Sequence, residues 1–234
     1  MVLGDSLSFG RPSHDIGLED TWPFKLDSEE IQVVYRAKAA STSTDVLWES
    51  RTLAAYWRPK KQRGGGEGGE PFAASIVQVG IVDVAPRLLP RAAYNLLRRY
   101  RVTAYVVNKL SRNQNIMRLY GKPWVGIEKF RKNIRDIRAS LLVLSKDCFF
   151  LEILKPNAYL IENCGDFSPM VSSYNAVLKE ELGNRFIEVS RNDVPPLLLP
   201  DGHHLNHAGH VEVARVVSRA IKARFPLITV GRQT

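Results

Sequence analysis

Two short stretches at opposite ends of the chain hold residue types suited to nucleophilic catalysis. Gly4-Asp5-Ser6-Leu7-Ser8-Phe9-Gly10 follows the brief apolar lead-in Met1-Val2-Leu3. It reads as a strand end, a tight turn and a helix start. A serine placed there can project its hydroxyl from the carboxyl edge of a parallel sheet, where open α/β folds keep their sites. Its own N–H, at a helix N-terminus, points the same way and favours a developing negative charge. The competing reading is that Asp5-Ser6 only caps a helix. Far downstream, Asp201-Gly202-His203-His204-Leu205-Asn206 sets a carboxylate three residues before an imidazole. One turn of backbone brings such a pair together, so the carboxylate can hold one ring nitrogen and leave the other free as a base. Alone, this stretch reads more readily as an N-cap beside a surface histidine.

Together the two ends resemble the GDSL, or SGNH, hydrolase family, in which the GDS serine is the nucleophile and a DxxH motif near the C-terminus supplies acid and base. The likeness covers nearly the whole chain in order and spacing. It implies Ser6 as nucleophile, His204 as general base and Asp201 as its orienting partner, with no cofactor. The family also has a glycine whose N–H helps to bind the oxyanion; aligning the Thr/Ser-rich run 41–44 puts Ala40 there. A further family pattern, Gly-x-Asn-Asp, falls on Gly80-Ile81-Val82-Asp83, so Val82 stands where an Asn side chain donates to the oxyanion. Valine cannot donate, and losing one oxyanion donor costs about 100- to 1,000-fold in rate. Arg87, Asn108 and Asn113 are candidate substitutes, among which the sequence does not choose.

The elements that must position these residues follow from periodicity. Ile31–Tyr35 alternates and is β-branched, and residues 74–81 form an apolar run; both read as strands. Further strands are expected at Cys148–Leu154, where Ala158–Ile161 competes, and at Arg185–Val189. Helices are expected to start at Trp22, with Pro23 just inside, and to run from the 41–44 stretch to about Arg58. Two more cover 170–182, with Gly183 as C-cap, and 208–225. The run Arg63–Glu70 is read as a linker: no Gly-Lys-Ser/Thr follows it, as a phosphate loop would require. These elements make a three-layer α/β/α domain over 1–234, with a flavodoxin-like parallel five-stranded sheet.

At 234 residues, 44% hydrophobic and 24% charged, the chain is suited to one sizeable packed domain and not to global disorder. Its net charge of +9 points to acidic partners or surfaces. That charge is concentrated: residues 87–138 hold 14 Lys and Arg against two acids, a net +12, so the remainder is −3. With Tyr94, Tyr100, Tyr105, Tyr120 and Trp124 interleaved, the segment is expected to form two helices, about 87–112 and 124–145, as a basic cap beside the strand ends. It reads as a solvated basic face or as a surface for an anionic glycan, sugar phosphate or membrane; nucleic acid ranks lower for want of a recognised motif. Cys148 and Cys164 are too few for a disulfide scaffold and are read as buried thiols in a reducing compartment. No basic-then-apolar leader precedes Gly4, so cytoplasm is the expected location, although the first strand looks clipped at Met1. His203, His204, His207 and His210 raise the question of a metal site; no matching carboxylate or cysteine cluster accompanies them, and none is assigned.

The reading that results is an ester hydrolase working through an acyl-enzyme on an acylated, favourably O-acetylated, carbohydrate, with Ser6 and Ala40 N–H groups at the oxyanion. Two alternatives stay open: an acyltransferase on the same fold, and a non-catalytic binding protein that lost the oxyanion Asn.

Overall fold

The computed structural model describes residues 1–26, 31–63, 72–97, 100–111, 113–190 and 196–226. Val2–Gly4 (β1), Tyr35–Ala37 (β2), Phe72–Gln78 (β3), Ser145–Leu151 (β4) and Phe186–Ile187 (β5) form one parallel sheet in the order β2-β1-β3-β4-β5. This is the expected flavodoxin-like order. Five consecutive residues are buried at the end of β3 and again at the end of β4. Burial of successive side chains means that both faces of the sheet are covered, as a parallel sheet requires.

The covering helices are Trp22–Leu26 (α1), Ser43–Arg63 (α2), Ile81–Val84 (α3), Arg91–Leu97 (α4), Arg101–Ser111 (α5), Gln114–Tyr120 (α6), Ile127–Leu141 (α7), Ala158–Cys164 (α8), Ser168–Leu182 (α9) and His207–Arg224 (α10). Helices α2, α7 and α9 pack together as one group, α1 and α10 as another. One hydrophobic core runs through sheet and helices, from Leu3 and Val77 to Phe130, Phe150, Leu178 and Val217.

The structure shifts several expected boundaries. The second strand is Tyr35–Ala37 and not 31–35, because β1 offers only three residues and pairs Val2 with Tyr35. The 148–154 strand starts at Ser145 and ends at Leu151, and Ala158–Ile161 is helical, its first turn capped by the Asn157 side chain accepting from the Leu160 N–H. The final strand shrinks to Phe186–Ile187 behind a 3-10 turn at Gly183–Arg185. Gly64–Glu70 lies outside the described residues.

The basic cap needs the largest correction. In place of helices at 87–112 and 124–145 there are α4, α5, α6 and α7. Helix α7 is not part of a cap: Phe130, Ile134, Ile137 and Leu141, spaced three and four residues apart, are fully buried against the core. Three of its seven charged residues are paired, Arg131 and Arg135 with Glu181, and Asp136 with Arg51. The lobe that projects from the domain is therefore α4 to α6, with Tyr105, Leu119 and Tyr120 exposed on it.

Candidate active site

The serine turn is a single 3-10 turn, Ser6–Ser8, at the carboxyl end of β1. Asp5 caps it, accepting from the Leu7 N–H at 2.9 Å. The turn is tied to the end of β3 at two points, and α1 at a third. The Asp5 N–H donates to the Gln78 carbonyl, and the Gln78 side-chain oxygen accepts from both the Ser8 hydroxyl (2.9 Å) and the Trp22 indole (2.7 Å). Asp5 is fully buried, with one carboxylate oxygen unpartnered, and burial pushes its pKa up to about 7. The capping reading therefore holds for Asp5, and the same turn places Ser6 at the carboxyl end of β1.

The downstream loop folds on itself. Leu198 and Leu205 form an antiparallel bridge, Leu199 N–H donates to His204 O at 2.7 Å, and Asn206 caps α10 through Gly209 N–H. Gly202 has φ +86°, and a Cβ there would lie 2.5 Å from the Asn157 side chain, so no larger residue suits the turn that delivers Asp201. One Asp201 oxygen accepts from the His203 and His204 N–H groups at 3.2 and 3.1 Å, and the other meets His204 Nδ1 at 2.6 Å. Partial burial opposes the Asp201 charge, but these bonds outweigh it and hold the carboxyl well below the usual range.

Across 198 residues of sequence, His204 Nε2 lies 3.1 Å from Ser6 Oγ. The three residues thus form one continuous relay, geometry in which an imidazole can take the serine proton and pass it on. Beside the relay is a cavity of about 250 Å³ whose lining includes Ser6, Ala40, Val82, Arg87, Phe167 and His204.

The structure brings Ala40 to that cavity in a left-handed conformation, φ +57°, the region that favours glycine. Neither its N–H nor that of Ser6 donates to any group among the described residues. Val82 faces the cavity as expected, but from the one-turn helix α3 and not from a strand end; β3 stops at Gln78. Gly80 does not face the cavity. With φ +128° it turns the chain between β3 and α3, and a Cβ on it would strike Ile153. Asp83 accepts from the Ser43 N–H and hydroxyl at 2.9 and 2.6 Å, tying this strand end to the start of α2; burial pushes its pKa up to about 7.

Of the candidate substitutes for the missing amide, Arg87 lines the cavity, while Asn113 is exposed and N-caps α6. The side chain of Asn108 lies outside what is described. Arg11, not singled out from the sequence, also lines the cavity, and its guanidinium contacts His204 Nε2. The only sequence signal for it was its nearness to Ser6.

His203 and His204 lie side by side, but His207 and His210 do not join them. His207 bonds the Asp15 carbonyl, and buried His210 accepts from the Trp22 N–H through Nδ1. Asp201, His203 and His204 could present three ligand atoms within 4.8 Å of one another, but one Asp201 oxygen and His204 Nδ1 are already bonded together.

No family model matches the sequence, and no curated protein does. Solved structures do. Axe2, an acetylxylan esterase from Geobacillus stearothermophilus, is 17% identical over 94% of this chain and 92% of its own, with a TM-score of 0.56. Est24, a carbohydrate acetylesterase from Sinorhizobium meliloti, is 13% identical over 96% and 99%, with a TM-score of 0.55. A protein assigned to the G-D-S-L lipolytic family from Desulfitobacterium hafniense is 15% identical over 94% and 97%, with a TM-score of 0.51. The fold is that of the GDSL hydrolases. At such identities the likeness carries the fold, and the chemistry has to be argued from the residues of this chain.

Proposed function

We propose that the chain is a serine ester hydrolase that works through an acyl-enzyme, on an acylated carbohydrate or a similar small ester. The observation that carries this is the Ser6–His204–Asp201 relay, at 3.1 and 2.6 Å, opening on a cavity of about 250 Å³. Ser6 Oγ attacks the ester carbonyl as His204 Nε2 takes its proton, and Asp201 holds the Nδ1–H and stabilises the imidazolium. The Ser6 and Ala40 N–H groups receive the oxyanion. His204 then protonates the departing alcohol, and later activates the water that releases the acid. Val82, Ala85 and Phe167 make one wall apolar, which suits a short acyl group.

The carbohydrate reading draws support from the neighbours: Axe2 is an acetylxylan esterase, Est24 a carbohydrate acetylesterase, and Axe2 is also known as catalytic mutants at a serine and a histidine. The exposed aromatic and basic lobe α4–α6, with Tyr105, Lys109 and Arg118, is the surface we assign to an anionic glycan or membrane face. Cytoplasmic residence belongs to the same proposal, since Cys148 and Cys164 are free thiols.

Val82 favours a second reading, a binding protein that keeps the fold without turnover. One experiment separates them. A serine-reactive fluorophosphonate should label Ser6, and Ser6→Ala should abolish both labelling and p-nitrophenyl acetate hydrolysis, a loss of about 10⁴-fold or more. Equal turnover by the variant overturns the assignment, and a folded wild type with neither labelling nor turnover favours the binding protein.

A further inference from the structure

Arg11 and Arg87 are the two cations of the cavity, and each is held in place by its own backbone. Arg11 pairs with Ile16 through two main-chain hydrogen bonds, 2.7 and 3.2 Å. Arg87 pairs with Lys122 through two more, 2.9 and 3.0 Å, and its guanidinium lies 5.3 Å from the centre of the Trp124 ring. Neither forms an ion pair with a carboxylate among the described residues, in contrast to Arg91, which pairs with Asp45. No acidic residue lines the cavity, and both Asp201 oxygens are already engaged.

The two guanidiniums flank one structure. Arg11 contacts the His204 ring, the charge of Arg87 bears on His203, and the two imidazoles lie 4.0 Å apart. Burial disfavours the Arg87 charge and is not offset by any acid, and Arg11 Nε is buried without a partner. Desolvated cations with no anion of their own are costly, and arginine is the side chain whose planar fork matches carboxylate or phosphate.

We propose that the cavity is built for esters that carry an anionic group, a carboxylate or a phosphate, on the alcohol that leaves, bound by Arg11 and Arg87. This rests on the esterase reading above. The alcohol side is chosen because Arg11 touches Nε2 of His204, the nitrogen that hands its proton to the leaving oxygen. The acyl group lies instead toward the apolar wall. Nε2 also has one in-plane lone pair, and both Arg11 and the Ser6 hydroxyl are directed at it. An anion that draws Arg11 away leaves that lone pair to Ser6, so the substrate's charge assists the proton transfer as well as the binding.

The test compares matched esters: 3-acetoxybenzoate, its neutral methyl ester, and 3-acetoxyphenyl phosphate. Wild type should prefer one or both anionic esters in kcat/KM by about 30-fold or more, and whichever is preferred identifies the group. Arg11→Gln and Arg87→Gln should each cut that preference about tenfold, whereas the charge-keeping Arg11→Lys and Arg87→Lys retain part of it. Equal turnover of all three esters, or a preference that survives both glutamine variants, overturns the proposal. Preference for phenyl hemisuccinate over phenyl butyrate, without preference among the acetoxy esters, overturns the alcohol-side assignment. Calorimetry separates failure of this proposal from failure of the esterase reading. Binding of 3-hydroxybenzoate or 3-hydroxyphenyl phosphate to the Ser6→Ala protein, lost when Arg11→Gln and Arg87→Gln are added, upholds the anion site even if no ester is turned over. No binding of either overturns it.

Discussion

On one side of Ser6, His204 and Asp201 come from a single loop and form bonds of 3.1 and 2.6 Å. On the other side the groups meet from three separate segments: the Ser6 turn, Ala40 before α2, and Val82 in α3. The acid–base side is complete in side chains. The side we propose for the oxyanion offers backbone N–H groups and a valine. A pair three residues apart is held by its own turn, so it stays intact whatever happens elsewhere. A pocket assembled from distant segments can lose one donor side chain without losing the backbone donors, because other groups hold the segments: Ser8 and Gln78 hold the Ser6 turn, and Asp83 and Ser43 join α3 to the start of α2.

The comparison can be broken hardest at Asp201. Asp201→Asn should lower kcat by about 10⁴-fold with the fold intact, because the amide no longer holds the required His204 tautomer. Steady-state kinetics on p-nitrophenyl acetate, alongside a thermal melt, checks this. A loss near tenfold would mean that the relay is not the engine of turnover.

The two sides should also respond oppositely to pH. Asp201 has a depressed folded pKa, so its contribution to stability is present above the ordinary carboxylate value of 3.8 and is lost as pH falls below it. Asp83 has a raised folded pKa, about 7. The folded state keeps that proton while the unfolded state releases it near 3.8, so the contribution is fully present below 3.8 and is lost as pH rises through about 7. Asp83→Asn should therefore flatten the decline in stability between pH 4.5 and 8, by up to about 3 kcal/mol. Urea melts of wild type and variant at the two pH values measure the difference, and parallel behaviour of the two proteins counts against the assignment.

Val82→Asn sharpens the contrast by adding the absent donor. The side chains are similar in size and the position faces the cavity. kcat on an activated ester should rise about tenfold or more where chemistry limits turnover, at some loss of melting temperature from the buried amide. Unchanged kcat in a folded variant would show the hole already filled by another group, with Arg87 the next residue to substitute. Ala40→Gly should have the smallest effect. Relief of the left-handed alanine, worth about 1 kcal/mol, is partly offset by glycine's greater unfolded-state freedom, about 0.4–1 kcal/mol. Stability should shift by less than about 1 kcal/mol and activity by less than about twofold, read from melts and the same kinetics. A large loss of activity would mean that the alanine methyl itself shapes the cavity.

Local chemistry made part of this protein legible in its sequence. Ser6 in its turn, Asp201 and His204 one turn apart, and the apolar run of β3 depend on neighbours only a few residues away, so residue type and spacing made them candidates, and the likeness to the GDSL family singled out the first three. Val82 was legible too, as a departure from the family's Gly-x-Asn-Asp pattern, although it sits in α3 and not at a strand end. The tertiary structure alone decided the rest, because the deciding contacts span the chain. Ser6 meets His204 across 198 residues and Arg11 meets the same ring across 193. Nothing in a polar Arg-Pro-Ser-His loop says which imidazole it will touch. The basic segment shows the same limit from the other direction. Charge counting grouped residues 87–138 into one cap, yet Phe130, Ile134, Ile137 and Leu141 carry α7 into the core, while α4 to α6 stay outside. Burial of apolar side chains decided which of these helices join the core, and pairing with distant acids such as Glu181 decided which of the charges are neutralised. Composition along a segment records neither.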